Sequence, residues 1–393
     1  MPSVVAIATR RIDDPLPTNV QHLMTRLASH FLVFYIEPPA DFLFLLRNPK
    51  FLMRFFRKRD SGLLKKLTPI IFPFGNRLQW IKKINQKIFL VQTRLFIKQN
   101  THRPYILWLF SPKDFYIIKH LCGKLLYFHI TDDYTAFPGK AGLGSRSQVL
   151  SQEYYIITKA NRVFVTSKYL ANAKSQWLSK ITLIPNVADS KHFEKAKFSS
   201  LPIPPDIACI NKPIVGFIGA IDYYKVDFDL IHYCAKENPK ISFVLVGPVG
   251  KGDNTALDSL PQEDNIHYLG EKPYSQLPNY IKAFDVCLIP YRITNYTKAC
   301  FPLKLFEYLA AGKPVVSTNL PAVYDHHDII LIGEDPQDFN RLIRRALHED
   351  SPEMVKARQR IAKISSWDQR IEGIKNIIIK DVEKCCRAIS LTK

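Results

Sequence analysis

Short apolar runs alternate with longer amphipathic segments through the first half of this chain, and the alternation limits the folds that it can adopt. The apolar runs predict buried strands at 4–8, 31–36, 69–74, 105–110, 125–130, 162–166 and 181–184. The amphipathic segments that separate most of them predict helices at 17–29, 77–100, 146–160 and 167–179. A chain that repeats strand and helix in this way forms a parallel sheet with helices on both faces.

The second half repeats the alternation after a proline-rich linker that contains Pro202, Pro204 and Pro205. It predicts strands near 213–218, 241–246, 266–269, 285–289, 314–317 and 328–332. A length of 393 residues, of which 47% are hydrophobic, suffices for two cores. We therefore predict two doubly wound α/β domains, at 1–195 and 206–365, followed by an amphipathic helix within 366–393.

The cysteines and the N-terminus indicate a protein of a reducing compartment. The seven cysteines are scattered and form no Cys-x-x-Cys pair, which argues against a disulfide scaffold or a zinc site. The first residues lack the basic region of a signal peptide. No apolar run reaches the length of about 18 residues that predicts a membrane span. We therefore expect a cytoplasmic location.

Residues 302–316, PLKLFEYLAAGKPVV, predict a helix that leads directly into a strand. Pro302 suits a first helical turn, Gly312 ends the helix, and Glu307 is the one carboxylate on it. Backbone N–H groups at a helix start attract phosphate, and a carboxylate one turn deeper can accept hydrogen bonds from two ribose hydroxyls. The pattern fits a nucleotide diphosphate site, but it equally fits an ordinary helix and strand with Glu307 at a solvated edge.

The same string resembles the donor-site helix of GT-B glycosyltransferases of family 4, also called group 1. Within that family it is similar to the bacterial enzymes of surface-polysaccharide and teichuronic acid biosynthesis. The resemblance continues in further segments at 184–189, 215–221, 243–248, 265–270 and 285–290. It covers residues 160–330 closely and the first 160 residues loosely.

The resemblance implies the GT-B fold, in which two Rossmann-like domains face each other across a cleft and the last helix crosses back to the first domain. The second domain would bind a nucleotide diphosphate-sugar and the first domain its acceptor, with retention of configuration and without metal or cofactor. Helix N-termini and lysines would then stabilise the leaving diphosphate. The donor-site residues that the resemblance implies are Gly219, Lys225, Pro302, Leu303 and Glu307. Lys304 and Lys298 are further candidate cations, because they stand beside the phosphate end of the helix.

The chain departs from the family pattern at three positions. Ala220 replaces the usual arginine after Gly219, and Val226 replaces the usual glycine after Lys225. Lys225 therefore either contacts the diphosphate or is a surface charge. The first of two family glutamates is also missing, since Ala299 stands eight residues before Glu307. This loss leaves the donor sugar undefined and leaves an inactive member of the family as an alternative.

The acceptor side of the predicted cleft carries two groups of polar residues. His129 stands at the end of the predicted strand at 125–130 and Asp132 in the loop after it, and one of them is predicted to lie near the reacting hydroxyl. The adjacent Asp132-Asp133 pair is not the Asp-x-Asp of metal-dependent enzymes, so its carboxylates either serve the acceptor or cap the following turn. Arg10, Arg11 and Asp13 follow the first strand and either line the same cleft or are surface charges.

The formal charge of +20 is concentrated in the first domain. Fifteen lysines and arginines but one acidic residue, Asp60, stand between Arg47 and Arg103. Phenylalanines and leucines interleave with the cations at 42–66, which predicts contact with an anionic membrane surface through this segment. Nucleic acid would attract the same charge but lacks a recognised binding signature here, and a solvated basic face is the third alternative.

Together these features predict a glycosyltransferase that works at the inner face of the cytoplasmic membrane. It would transfer a sugar from a nucleotide diphosphate-sugar to a glycan or lipid-linked acceptor in cell-surface polysaccharide biosynthesis. A nucleotide-sugar epimerase or phosphorylase on the same fold is one alternative. An inactive glycosyltransferase-like partner or a nucleic-acid-binding protein is the other.

Overall fold

The computed structural model describes residues 2–14, 17–47, 62–75, 77–136, 144–250 and 256–390. The elements of the first half are β1 Ser3–Ile7, α1 Asn19–Leu27, β2 Val33–Ile36, β3 Ala40–Asp41, α2 Phe42–Arg47, β4 Leu64–Leu67, β5 Ile70–Ile71, α3 Gln79–Asn100, β6 Tyr105–Leu109, β7 Leu125–Ile130, α4 Arg146–Lys159, β8 Arg162–Val165, α5 Lys168–Asn172 and β9 Ile181–Leu183.

Seven of these strands form one parallel sheet in the order β4-β2-β1-β6-β7-β8-β9. Alternate residues of the central strand β1 face opposite sides of the sheet, as expected for extended chain. Val4 and Ala6 belong to a core that α1 covers, whereas Val5 and Ile7 belong to a second core covered by α3 and α4. The predicted parallel sheet with helices on both faces is therefore confirmed for this domain.

The edge of the first sheet differs from the prediction. The apolar run at 69–74 supplies only the two-residue strand β5, which pairs with β3 outside the main sheet. The edge strand of the main sheet is instead β4, whose sequence Leu-Lys-Lys-Leu contains no apolar run. An edge strand buries little of its surface, so its hydrophobic pattern is weak.

The second half has the elements α6 Ser190–Phe193, α7 Pro205–Ala208, β10 Ile214–Ile218, α8 Phe228–Glu237, β11 Ser242–Val246, β12 Ile266–Gly270, α9 Leu277–Ala283, β13 Val286–Ile289, α10 Asn295–Ala299, α11 Leu303–Ala310, β14 Val315–Thr318, β15 Leu331–Gly333, α12 Pro336–His348, α13 Pro352–Ile364 and α14 Trp367–Ser390. Its sheet is parallel throughout, in the order β12-β11-β10-β13-β14-β15. The predicted pair of doubly wound sheets is thus present.

The last helix, α14, packs on the first sheet rather than on the second. Trp367, Ile371, Ile374 and Ile378 are buried in the same core as α1 and β1. Near its end, the Asp381 carboxylate accepts hydrogen bonds from Arg162 at 2.6 and 2.7 Å and from the Tyr127 hydroxyl at 2.7 Å. The crossing back that the resemblance implied is therefore observed.

The charged segment at 42–66 is described only at its two ends, because residues 48–61 lie outside the described part of the chain. Among the helices that are described, none combines the length and the hydrophobicity needed to cross a membrane.

Candidate active site at the cleft between the domains

The two domains contact each other along the loops that follow their strands. The Ser167 hydroxyl donates to the Ala299 carbonyl at 2.9 Å. The Asn186 side chain donates to the Phe301 carbonyl at 3.1 Å and accepts from the Asn19 amide at 2.5 Å. The segment that leads into α11 is therefore fixed against the first domain. In open parallel sheets this carboxyl-end edge is where ligands bind.

Helix α11 places Glu307 and Lys304 together. Pro302 precedes the helix and provides no side-chain cap for its first N–H groups, while Leu303 begins it. The Lys304 ammonium donates to one Glu307 oxygen at 2.6 Å, and the two side chains are 19% and 7% exposed. An ion pair this close to a helix start combines a positive field for phosphate with a positioned carboxylate.

Gly219 lies at the end of β10, where two strand ends meet closely. Its N–H donates to the Val246 carbonyl at 2.9 Å. Gly247 has a φ of +151°, and a Cβ there would lie 1.8 Å from the Gly219 carbonyl oxygen. A Cβ on Gly219 would itself lie 2.7 Å from the Phe217 ring. Gly247 is thus required by the close approach of the backbone, whereas Gly219 leaves room for the Phe217 ring.

Lys225 faces an aromatic and polar environment in the turn after β10. Its ammonium lies 4.8 Å from the centroid of the Tyr291 ring. Burial opposes the charged form, but Tyr291, Cys300, Tyr224 and Asp132 together raise the pKa of Lys225 above its usual range. Lys225 is therefore half-buried beside an aromatic ring of its own domain, and its contact with the diphosphate stays a prediction.

Asp132 reaches from the first domain to the second. Its Oδ1 lies 3.5 Å from the Tyr296 hydroxyl and 3.6 Å from the Cys300 sulfur. Burial raises the pKa of Cys300 to about 12 and that of Tyr296 well above its usual value, so both remain protonated donors at neutral pH. The cleft thus brings together Asp132 of the first domain and Lys225 of the second, both of which the sequence predicted. Tyr296 and Cys300, which lie beside Asp132, were missed by sequence reasoning.

The neighbouring carboxylate, Asp133, has a different role. Its Oδ1 accepts from the backbone N–H of Thr135 at 2.9 Å and from the Thr135 hydroxyl at 2.6 Å. Asp133 therefore stabilises the turn after β7, which is the capping role that the sequence left open for this pair. Asp133 thus makes a structural contact, whereas the adjacent Asp132 lies in the cleft.

His129 is not in the cleft, which corrects the prediction for this residue. It is fully buried, and within the described structure both ring nitrogens lack hydrogen-bond partners. Its ring packs against Trp108, Phe110 and Phe164. Burial, with a smaller effect of Arg370, lowers the pKa of His129 to about 3. Residue 129 lies inside strand β7, where alternation directs it into the core beneath α14.

The loop after β1 is held by its backbone. The Arg10 carbonyl accepts from the Tyr35 hydroxyl at 2.8 Å, and the Arg11 carbonyl accepts from the Gln21 amide at 2.7 Å. The Arg10 side chain is exposed, whereas Arg11 and Asp13 are half-buried. The structure thus fixes the loop at the carboxyl edge of the first sheet, and its contact with an acceptor stays a prediction.

Lys298 and Ala299 lie side by side on α10 but point to different environments. Lys298 is half-buried, and Ala299 is fully buried within the core of the first domain. The position at which the family pattern has its first glutamate therefore packs against the other domain. In the described residues, no group of three or more potential ligands is arranged to hold a metal ion.

Comparison with known sequences supports the nature of the second domain. Residues 212–349 match the sequence model of the family described as glycosyl transferases group 1. The second domain is similar, over these residues, to a group 1 glycosyltransferase domain. It contains Gly219, Lys225 and the α11 pair Lys304 and Glu307.

Two relatives extend the match. The chain is 30% identical over 239 residues to TuaH of Bacillus subtilis, named as a teichuronic acid biosynthesis glycosyltransferase. It is 26% identical over 180 residues to the processive diacylglycerol alpha-glucosyltransferase of Acholeplasma laidlawii. These matches span 57% and 42% of this chain, and 58% and 50% of the respective relatives.

Solved structures confirm the GT-B architecture. Sucrose-phosphate synthase from Thermosynechococcus elongatus superposes with a TM-score of 0.72 at 15% identity, covering 98% of this chain and all of that one. Anabaena HepE, solved with UDP and glucose, superposes with a TM-score of 0.67 at 13% identity, covering 96% and 99% of the two chains. At such identities the likeness concerns the fold.

Proposed function

We propose that the protein transfers a sugar from a nucleotide diphosphate-sugar to a glycan or lipid-linked acceptor in cell-surface polysaccharide biosynthesis. The observation that carries this proposal is Glu307, a carboxylate paired with Lys304 at the start of α11 in a domain similar to those of group 1 glycosyltransferases. HepE has been solved with UDP and with UDP-glucose, which makes uridine diphosphate the first nucleotide to test.

In this proposal, Glu307 accepts hydrogen bonds from the donor ribose, and the free N–H groups at the start of α11 bind the diphosphate. Lys225 adds positive charge from the turn after β10 of the same domain, and Lys298 and Lys304 stand close in sequence to the phosphate end of α11. Charge that develops on the leaving diphosphate would be stabilised by these fixed groups without a metal ion. Retention of configuration is part of the proposal by analogy with the family.

Asp132 is the acceptor-side group of the proposal. It lies at the inner edge of the first domain and within hydrogen-bonding range of groups on the donor domain. A carboxylate there can orient an acceptor hydroxyl and take up its proton. Arg10, Arg11 and Asp13 would contribute to the acceptor side from the loop after β1.

Calorimetry with uridine diphosphate tests the donor assignment. We expect Glu307→Gln to weaken nucleotide affinity at least about tenfold, because a charge-assisted acceptor is lost while the side-chain shape is kept. Glu353→Gln, on an exposed residue of α13, is the matched control and should bind like the wild type. Unchanged affinity in a folded Glu307→Gln variant would contradict the ribose role.

The buried Ala299 favours one second candidate, a donor-binding protein that lacks transferase activity. The family pattern has a glutamate at this position, and here the side chain packs into the first domain instead. Nucleotide binding without turnover of any nucleotide-sugar would support that candidate.

A further inference from the structure

Helix α3 presents an apolar stripe to solvent along much of its length. The stripe consists of four side chains that are between 38% and 62% exposed: Trp80, Ile84, Val91 and Leu95. Their spacing places them on one face of the helix. A different face of α3, which includes Phe89, Leu90 and Ile97, is buried in the core of the first domain. Helix α3 is therefore apolar on two faces, and only one of them serves the fold.

The turn before α3 also carries exposed apolar side chains. Phe72, Phe74 and Leu78 are 57%, 55% and 44% exposed. The Asn85 side chain pairs with the backbone N–H and carbonyl of Phe72 at 2.9 and 2.8 Å, so the turn is fixed alongside the helix. Phe74 has a φ of +65°, a conformation that costs free energy for an aromatic residue. The fold thus holds exposed rings at the start of α3 instead of burying them.

The same surface is strongly cationic. Helix α3 contains no aspartate or glutamate between Gln79 and Asn100. Its cations are all exposed: Lys82, Lys83, Lys87, Arg94 and Lys98. An apolar stripe with lysines and arginines along it is the pattern of helices that lie in the plane of a membrane interface.

We propose that α3 and the turn before it dock the protein on an anionic bilayer surface. A bilayer offers both partners that this surface requires, phosphate groups for the cations and acyl chains for the exposed rings and aliphatic side chains. Nucleic acid would satisfy the cations but leave the apolar stripe in water. The surface lies outside the segment 42–66 that the sequence indicated, and the inference goes beyond sugar transfer without depending on it.

Trp80 provides a direct probe for this docking. The chain has four tryptophans, of which Trp108 and Trp367 are buried and Trp177 is half-buried, whereas Trp80 is 62% exposed. Vesicles of phosphatidylcholine and phosphatidylglycerol should shift the fluorescence of the full chain to shorter wavelength and protect it from acrylamide. Vesicles of phosphatidylcholine alone should do neither, and high salt should reverse the effect because it screens the cations.

Sedimentation with the same vesicles measures how much the apolar stripe contributes to binding. We expect Ile84→Ser with Val91→Ser to weaken binding about tenfold or more, since each removes an apolar side chain from the interface. Leu178→Ser with Ile364→Ser changes two side chains of similar exposure elsewhere and should leave binding unchanged. Melting curves check that each variant is folded, and nucleotide affinity should be the same in both.

Three results would overturn the proposal. The wild type could fail to sediment with the anionic vesicles at low salt. The Ile84 and Val91 substitutions could leave vesicle binding intact while a variant with Arg54→Gln, Arg57→Gln, Lys58→Gln and Arg59→Gln no longer binds. That result would assign docking to the segment 42–66. The stripe could instead mediate self-association or RNA binding, which gel filtration and RNA titration without lipid would detect.

Discussion

At the scale of single residues, Asp132 is the point at which the two domains share one chemical environment. We expect Asp132→Asn to lower turnover by about 10²-fold or more with little change in donor affinity, because a carboxylate that accepts a proton is lost. Steady-state kinetics with separate kcat and donor KM values measure this split. The effect will be smaller if the leaving phosphate takes the proton.

The adjacent carboxylate supplies a close control for that experiment. Asp133→Asn keeps an oxygen that can accept from the Thr135 N–H, so turnover should stay near the wild-type value. Equal turnover in the two variants would remove Asp132 from the acceptor site and leave both carboxylates with structural roles.

The contrast between His129 and Asp132 shows what the sequence could predict at this scale. Both stand in one short segment, and the predicted strand at 125–130 already contained His129, but the sequence did not reveal that this side chain faces the core and not the cleft. The structure ends β7 at Ile130, so His129 lies within the strand and Asp132 lies beyond it. Tyr296 and Cys300 carried no comparable motif, because their importance comes from a contact with the other domain.

At the scale of secondary-structure elements, a half-buried polar contact of Asp381 ties α14 to the first sheet. Although burial opposes ionisation, hydrogen bonds from Arg162 and Tyr127 lower the pKa of Asp381. We expect Asp381→Asn to reduce the free energy of unfolding by about 2 kcal/mol, because charge-assisted hydrogen bonds are weakened at a largely buried site. Denaturant titration at neutral pH measures the loss.

A second ion pair on α14 serves as the control. Glu372 and Lys375 contact each other within the helix at 3.1 Å, and neither links it to another element. Glu372→Gln should cost less than about 0.5 kcal/mol, as for other exposed helix pairs. If the two substitutions destabilise the protein equally, the cross-domain contact of Asp381 has no special role.

The elements themselves were largely predictable because burial leaves a pattern. The central strands β1, β7, β10 and β13 are buried on both faces and appear as continuous apolar runs. The prediction was wrong at 69–74, where an equally apolar run forms a turn with exposed rings. A hydrophobic run indicates a need for an apolar environment, and it does not say whether the protein interior or an external surface supplies it.

At the scale of the whole molecule, the buried His129 and the half-buried His22 should limit stability in acid. Burial, with Arg26 and other charges, lowers the pKa of His22 to about 4, and burial lowers the pKa of His129 to about 3. In the unfolded chain both titrate near 6.5, so the unfolded state takes up protons first as the pH falls. The contribution of the two neutral histidines to the free energy of unfolding is therefore complete above pH 6.5, and it is lost as the pH falls from 6.5 to about 3 to 4.

His129→Phe tests this expectation. Below pH 6.5, the free energy of unfolding should fall less steeply in the variant than in the wild type, by about 1.4 kcal/mol per pH unit. The reason is that one of the two sites of proton uptake is absent. Urea midpoints at a series of pH values measure the slope. His30→Phe, on an exposed histidine, should keep the wild-type slope. Parallel curves for all three proteins would show that His129 does not titrate as its burial requires.

The position of α14 has a consequence for synthesis on the ribosome. The first domain is translated first, yet part of its core is covered by Trp367 and Ile374, which follow the entire second domain in the chain. Domains usually fold in the order in which they emerge. Here the nascent first domain must wait with one face of its sheet covered by α1 but not yet by α14, while the second domain, whose described core contains no residue of α14, completes its own fold.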